Sequence, residues 1–156
     1  MTLQQLAHGA EAMRACGARL ARALDAPPRA APLLVTLSGE LGAGKTTLVG
    51  GLLAELGHVG AVRSPTYTLL EPYRLRERDI IHCDLYRLRD PDELDDLGLR
   101  ELRCPGSILL VEWPEKAEGR LGPVDLALLL DYADTEARSI RFEAHTPVGA
   151  GLLHEI

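Results

Sequence analysis

The sequence predicts an α/β fold in three layers, a mixed sheet that includes a β-hairpin, with flanking helices. Three observations predict it. Leu33-Leu34-Val35-Thr36-Leu37 is a short, mainly apolar run, as expected of a strand covered on both faces. Gly39-Glu40-Leu41-Gly42-Ala43-Gly44-Lys45-Thr46 follows it and fits G-x-x-x-x-G-K-[ST] at every fixed position. Thr47 to Leu56 then reads as a helix. Strand, glycine loop and helix N-terminus in that order make a phosphate-binding P-loop, so the predicted fold is P-loop NTPase-like.

The other elements follow in chain order. Leu3, Leu6, Ala10, Met13, Gly17, Leu20 and Leu24 recur at three- and four-residue steps, which predicts one amphipathic helix over residues 1–25. Ala26-Pro27-Pro28-Arg29-Ala30-Ala31-Pro32 breaks it and leads into the first strand. Gly57 to Gly60 caps the P-loop helix. Thr68 to Leu75 and Asp79 to Tyr86 are strand-like and separated by Arg76-Glu77-Arg78, which predicts the hairpin. In Asp90-Pro91-Asp92-Glu93-Leu94 an N-cap candidate precedes a proline and first-turn acids; a short helix is expected to about Leu97, ending at Gly98. Ser107 to Glu112 is an apolar strand ending in a carboxylate, and Trp113-Pro114 stops it. Asp125 to Tyr132 and Ser139 to His145 predict two final, neighbouring strands. Residues 146–156 show no period and read as an irregular tail of a single domain spanning 1–156.

Bulk properties narrow the function. A net charge of −6 argues against a free-standing nucleic-acid binder, which needs a basic face. Lysine occurs only as Lys45 and Lys116, so a lysine in the glycine loop is not incidental surface charge. The three cysteines, Cys16, Cys83 and Cys104, lack metal-ligand spacing and read as free thiols of a reducing compartment. With no signal-peptide pattern and no apolar run near the ~20 residues of a membrane span, a cytoplasmic protein without membrane contact is expected.

The loop predicts the chemistry. Backbone N–H groups of Gly39, Glu40, Leu41, Gly42, Ala43 and Gly44 cradle phosphate, and Thr47 continues the cradle into the helix. Lys45 brings a cation to the outer phosphates, and the Thr46 hydroxyl is a ligand for Mg²⁺. Glu112, at the end of its strand, stands at the acidic position that meets Mg²⁺ directly or through water, and either it or Asp84 is the group that orients the attacking water. Asp84 is a second carboxylate candidate. Alternation puts it on one strand face with His82, and spacing alone leaves a site face and a solvent face equally open. His82 has no partner at metal-ligand spacing and reads as structural or supporting. Ser64-Pro65-Thr66 reads either as a nucleotide-sensing switch loop or as a plain turn. Trp113, the sole tryptophan, reads as a site-lining ring or as a core or interface residue.

Four ordered segments carry a family resemblance. Gly39 to Thr47, Ser64-Pro65-Thr66-Tyr67-Thr68-Leu69, His82-Cys83-Asp84-Leu85-Tyr86-Arg87-Leu88 and Val111-Glu112-Trp113-Pro114-Glu115 together resemble the bacterial TsaE (YjeE) family. The resemblance implies a small ATPase using ATP and Mg²⁺. It would support N6-threonylcarbamoyladenosine synthesis in tRNA with TsaB and TsaD, and tRNA would be contacted mainly through that complex. It implies catalytic roles for Lys45, Asp84 and Glu112, metal roles for Thr46 and Glu112, and nucleotide contacts from Thr66 and Trp113. Cys83 stands where the family is often aromatic. Glu11-Ala12-Met13 replaces a frequent Glu-Thr pair, and Glu40 a frequent Asp.

Other functions remain to be weighed. A small-molecule P-loop kinase needs an arginine-bearing lid, for which Arg74 to Arg78 is the one candidate segment. A nucleotide-dependent binding module without turnover needs only the loop. A guanine-specific switch is disfavoured: the chain has no asparagine and no Thr-Lys-x-Asp, so it cannot form Asn/Thr-Lys-x-Asp.

Overall fold

The computed structural model describes residues 1–25, 30–65 and 67–156. The chain runs β1 (Thr2–His8), α1 (Gly9–Leu24), β2 (Leu33–Ser38), α2 (Lys45–Glu55), β3 (Leu70–Leu75), β4 (Arg78–Asp84), α3 (Glu93–Asp96) and α4 (Leu99–Leu102). It continues with β5 (Ile108–Glu112), the 3₁₀ turn η1 (Pro114–Ala117), β6 (Leu126–Tyr132), β7 (Ala137–Ala144) and α5 (Pro147–Leu153). All seven strands join one sheet in the order β1-β7-β6-β2-β5-β4-β3. The inner strands β4, β5, β2 and β6 are parallel. The β3–β4 hairpin and the β6–β7–β1 flank are antiparallel, so the sheet is mixed, as the sequence predicts.

Alternation along the inner strands divides the core in two. Val35, Leu37, Ile80, Ile108 and Leu110 face α1 and α2, where Leu20, Leu48 and Leu52 cover them. Leu34, Ile81, Cys83, Leu109 and Val111 face the thinner cover of Leu94, Leu99, Ala117 and Leu121. Helices α1 and α2 touch backbone to backbone: a Cβ on Gly17 would lie 2.0 Å from the Leu48 carbonyl oxygen. The cysteines are free thiols. Cys16 and Cys83 are buried, Cys104 is half-buried, and burial pushes the Cys83 thiol up to about 12.

Three expectations are corrected. Residues 2–8 form β1, not the first turns of the helix expected over 1–25. In β1 it is Leu3, Gln5 and Ala7 that turn inward, with period two, while Leu6 is 62% exposed. Pairing with β7 decides the conformation, and the helix begins after a corner at Gly9, whose φ is +79°. Residues 146–156 are not irregular throughout, because Pro147–Leu153 is helical. The helix expected from Pro91 to Leu97 is α3, which starts later, at Glu93, and ends before Gly98 as expected; a further short helix, α4, follows Gly98. The linker expected over 26–32 falls largely outside the described residues, as does Thr66.

Candidate nucleotide site

The site lies beyond the carboxyl ends of β2, β4 and β5, where parallel strands deliver loops to one edge of the sheet. Parallel pairing of β2 with β5 sets Leu37 beside Glu112, and pairing of β4 with β5 sets Asp84 beside Glu112. The two carboxylate residues are therefore neighbours across the sheet. The loop Gly39–Gly44 joins β2 to α2, with Ala43 N–H on the Glu40 carbonyl at 3.1 Å. Glycine is required at two of its positions. At Gly39 a Cβ would sit 2.4 Å from the Leu130 carbonyl oxygen, and at Gly44, which precedes α2 at φ +102°, it would meet the Met13 methyl at 3.0 Å.

Lys45, 4% exposed, donates from Nζ to the carbonyls of Gly39 (2.6 Å) and Glu40 (2.8 Å). Its ammonium stands 4.3 Å from the centre of the Trp113 ring, a cation–π contact. Burial pushes the Lys45 ammonium below its ordinary value, and the carboxylates of Glu112, Asp84 and Glu115 act against that push. Thr46 donates its hydroxyl to Glu112, 2.9 Å from Oε1 and 3.1 Å from Oε2. Glu112 is itself 2% exposed. Its Oε1 also lies 2.9 Å from Nε2 of His82, which is wholly buried.

Asp84 is buried and spans two elements: Oδ1 accepts from the Tyr86 N–H at 2.9 Å, and Oδ2 accepts from the Ser64 hydroxyl. The face shared by His82 and Asp84 is therefore interior, and the solvent-face reading does not hold. Trp113 has φ +58° and ψ +50°, uncommon for an aromatic residue. Its N–H donates to the Leu37 carbonyl at 3.2 Å, which holds the turn against β2. The Trp113 ring packs at a tilt on Tyr86, with centroids 4.9 Å apart.

These groups surround a cavity of about 410 Å³. Leu41, Gly42, Gly44, Lys45, Thr46, Thr47, Asp84, Glu112 and Trp113 all line it, together with Ser64 and Pro65. The structure thus brings together most of the residues singled out by sequence. Gly39, Glu40 and Ala43 shape the loop: the first two hold the Lys45 ammonium with their carbonyls, and Ala43 is buried behind it. Thr66 lies outside the described residues. Tyr86 and Arg87 also line the cavity, a hint present in the aromatic-Arg pair after Asp84.

Other contributors have no local sequence signal. Tyr132, at the end of β6, donates its hydroxyl to the Leu41 carbonyl at 3.0 Å, and Arg138 stacks over its ring at 4.1 Å. A smaller cavity of about 150 Å³ continues on the other side of the loop, between Gly9, Met13, Thr47, Glu136 and Arg138. The candidate lid arginines of the kinase alternative do not line the cavity. Arg74 pairs with Asp79, Arg76 with Asp25 and the Glu55 carbonyl, and Arg78 with the Leu24 carbonyl. The hairpin tip is tied to the ends of α1 and α2.

Fold and site define an α/β protein with a P-loop. A family model described as threonylcarbamoyl adenosine biosynthesis protein TsaE matches residues 7–140. A relative from Haemophilus influenzae, the tRNA threonylcarbamoyladenosine biosynthesis protein TsaE, is 47% identical over 121 residues, covering 78% of this chain and 76% of its own. The protein of the same name from Bacillus subtilis is 38% identical over 111 residues, 71% of this chain and 69% of its own. The crystal structure of Bacillus subtilis YdiB superposes with a TM-score of 0.77 at 29% identity, covering 99% of this chain and 93% of that one. The chain belongs to the TsaE family. Among the described residues no helix is long and apolar enough to cross a membrane.

Proposed function

We propose that the chain is a Mg²⁺-dependent ATP hydrolase that supports N6-threonylcarbamoyladenosine modification of tRNA in the cytoplasm, as the accessory of a TsaB–TsaD pair. The observation that carries the ATPase reading is the meeting of the Thr46 hydroxyl with the buried Glu112 carboxylate at 2.9 Å, one residue from Lys45. The residues present fit the ligands. A hydroxyl and a carboxylate side by side are hard oxygen donors suited to Mg²⁺, which keeps several waters and takes the rest from phosphate. The glycine loop and the N-terminus of α2 are an anion cradle with a cation beside it.

Bound Mg²⁺ supplies charge neutralisation on the phosphates during transfer. Lys45 leaves the carbonyls of Gly39 and Glu40 for phosphate oxygens, exchanging neutral acceptors for charged ones. Glu112, held by Thr46, serves the metal side. Asp84, reached from the Ser64 loop, is the second carboxylate lining the cavity, and it or Glu112 orients the attacking water and accepts its proton. Trp113 walls the cavity and stacks on the ammonium. With a net charge of −6, the chain leaves tRNA binding to its partners. The hairpin arginines tied to α1 and α2 favour hydrolysis over the kinase alternative.

Phosphate release from MgATP, by the chain alone and then with TsaB and TsaD, tests this. Weak release that the pair strongly stimulates is the expected result. Bound MgATP with no release under any condition would make the chain a binding module, and phosphate on a metabolite would make it a kinase.

A further inference from the structure

Among the described residues, His82 is a fully buried titratable side chain at the site that the proposed chemistry leaves unused. Resting on the Mg²⁺–nucleotide reading of the cavity, we infer that His82 is a positioning residue that sets the orientation of the Glu112 carboxylate from the neighbouring strand. The last torsion of a glutamate is broad and roughly two-fold, so one hydrogen bond does not fix the plane of its carboxylate. Glu112 has two contacts from two different elements. Thr46, on α2, reaches both oxygens, at 2.9 Å and 3.1 Å. His82, on β4, reaches Oε1 alone, at 2.9 Å. Oε1 is therefore met twice and Oε2 once, which leaves Oε2 with the larger acceptor capacity for a cation or its water.

The same geometry assigns the imidazole tautomer. A carboxylate oxygen accepts, so Nε2 carries the proton and donates. Nδ1 has no hydrogen-bond partner among the described residues. A proton there would be a buried donor without an acceptor, and the bare Nε2 lone pair would face a carboxylate oxygen. In sheet register His82 lies between Leu110 of β5 and Glu71 of β3, and among the described residues its side chain hydrogen-bonds the Glu112 carboxylate alone. A histidine that merely filled this space would be replaceable by leucine.

Two measurements test the inference. The first uses the wild-type chain labelled with ¹⁵N-histidine, with the His82 signals assigned by their loss in His82→Gln. Proton-coupled imidazole spectra without nucleotide are expected to show Nε2 protonated and Nδ1 bare. A proton on Nδ1 overturns the assignment. The second is calorimetry of Mg²⁺ binding to the ADP-saturated chain, with ADP binding in the absence of metal as control. His82→Leu is expected to weaken Mg²⁺ binding at least about tenfold, the usual scale for a lost partner of a metal ligand, and to leave metal-free ADP affinity unchanged. His82→Gln, which keeps an N–H donor, is expected to recover most of that loss. Wild-type Mg²⁺ affinity in the leucine variant overturns the inference, as does equal weakening of Mg²⁺ and ADP in both variants. If the leucine variant does not fold, the tautomer and the glutamine variant still decide: Mg²⁺ affinity in His82→Gln near wild type supports the inference, and loss in step with ADP overturns it. A wild-type chain that binds neither ADP nor Mg²⁺ overturns the nucleotide reading instead, and the tautomer still decides the His82–Glu112 contact.

Discussion

Strands β2, β4 and β5 are buried along nearly their whole length, whereas β6, β7 and β1 alternate between buried and exposed residues. The parallel centre is covered on both sides by helices and turns, so its strands are mainly apolar until they emerge, and they emerge at Glu112, Asp84 and the glycine loop. The antiparallel flank joins β6 to β7 by a short turn, adds β1 from the far end of the chain, and meets the site at its rim, through Leu130, Tyr132 and Arg138. The contrast separates two jobs. The centre aims chemical groups at one edge, and the flank contributes burial. Mutations in the two regions are then expected to move different observables.

The largest expected effect on stability comes from the flank. Phe142, fully buried in β7 and paired with Leu3 and Leu128, fills the larger core cluster, on the face of the sheet that carries α1, α2 and α5. Phe142→Ala is expected to cost about 3–5 kcal/mol in urea unfolding. The fraction that remains folded should bind MgATP as the wild type does. A parallel loss of nucleotide affinity in the folded fraction would show that flank and centre are not separate.

Lys45→Ala is the reverse case. Nucleotide affinity is expected to fall about 100-fold or more, equivalent to about 3 kcal/mol of binding. Burial already works against the charged ammonium, so its removal is expected to move the urea midpoint far less than Phe142→Ala does. Unchanged MgATP affinity in this variant would remove the cavity from the nucleotide reading altogether.

Legibility in the sequence follows the same division. The glycine loop, Lys45, Thr46 and Glu112 are local signals, because a contiguous motif and a carboxylate ending an apolar run need no tertiary knowledge. Strands β2 and β5 were legible as mainly apolar runs. Strand β1 was not: Leu3 and Leu6 lie three apart and mimic a helical stripe, and only pairing with β7, far along the chain, shows that Leu6 points outward. The contacts of His82 with Glu112 and of Ser64 with Asp84 also depend on folding, since neither pair is close in sequence. Helix α5 does have a local signal, Thr146-Pro147, an N-cap residue followed by proline at the first helical position, although its sequence shows no apolar period.

Gly17→Ala tests whether centre and periphery are mechanically linked. Its added methyl would collide with the Leu48 carbonyl of α2, so α1 must shift, at a cost of about 1–3 kcal/mol. Met13 on the same helix packs against Gly44 of the P-loop. A shift of α1 is therefore expected to lower nucleotide affinity as well as stability, unlike Phe142→Ala. Loss of stability with full affinity would mean that the loop holds its shape without α1.

The smallest effect is expected at the far end of the flank. Thr146 Oγ1 accepts from the Gly149 N–H at 3.1 Å, capping α5, and donates to Asp125 Oδ1 at 2.6 Å. The other Asp125 oxygen accepts from the Leu34 N–H at 3.0 Å, so the cap connects α5 to the start of β2. Thr146→Ala removes both bonds of the hydroxyl and is expected to cost about 1 kcal/mol, with Thr146→Ser restoring it. Strand β2 is nevertheless held along its length by β5 and β6, and its loop-bearing end lies opposite Leu34. Nucleotide affinity in Thr146→Ala should therefore equal that of the wild type. A fall in affinity beyond what the lost stability accounts for would mean that strain at the amino end of β2 reaches the P-loop, and the division of labour between flank and centre would have to be withdrawn.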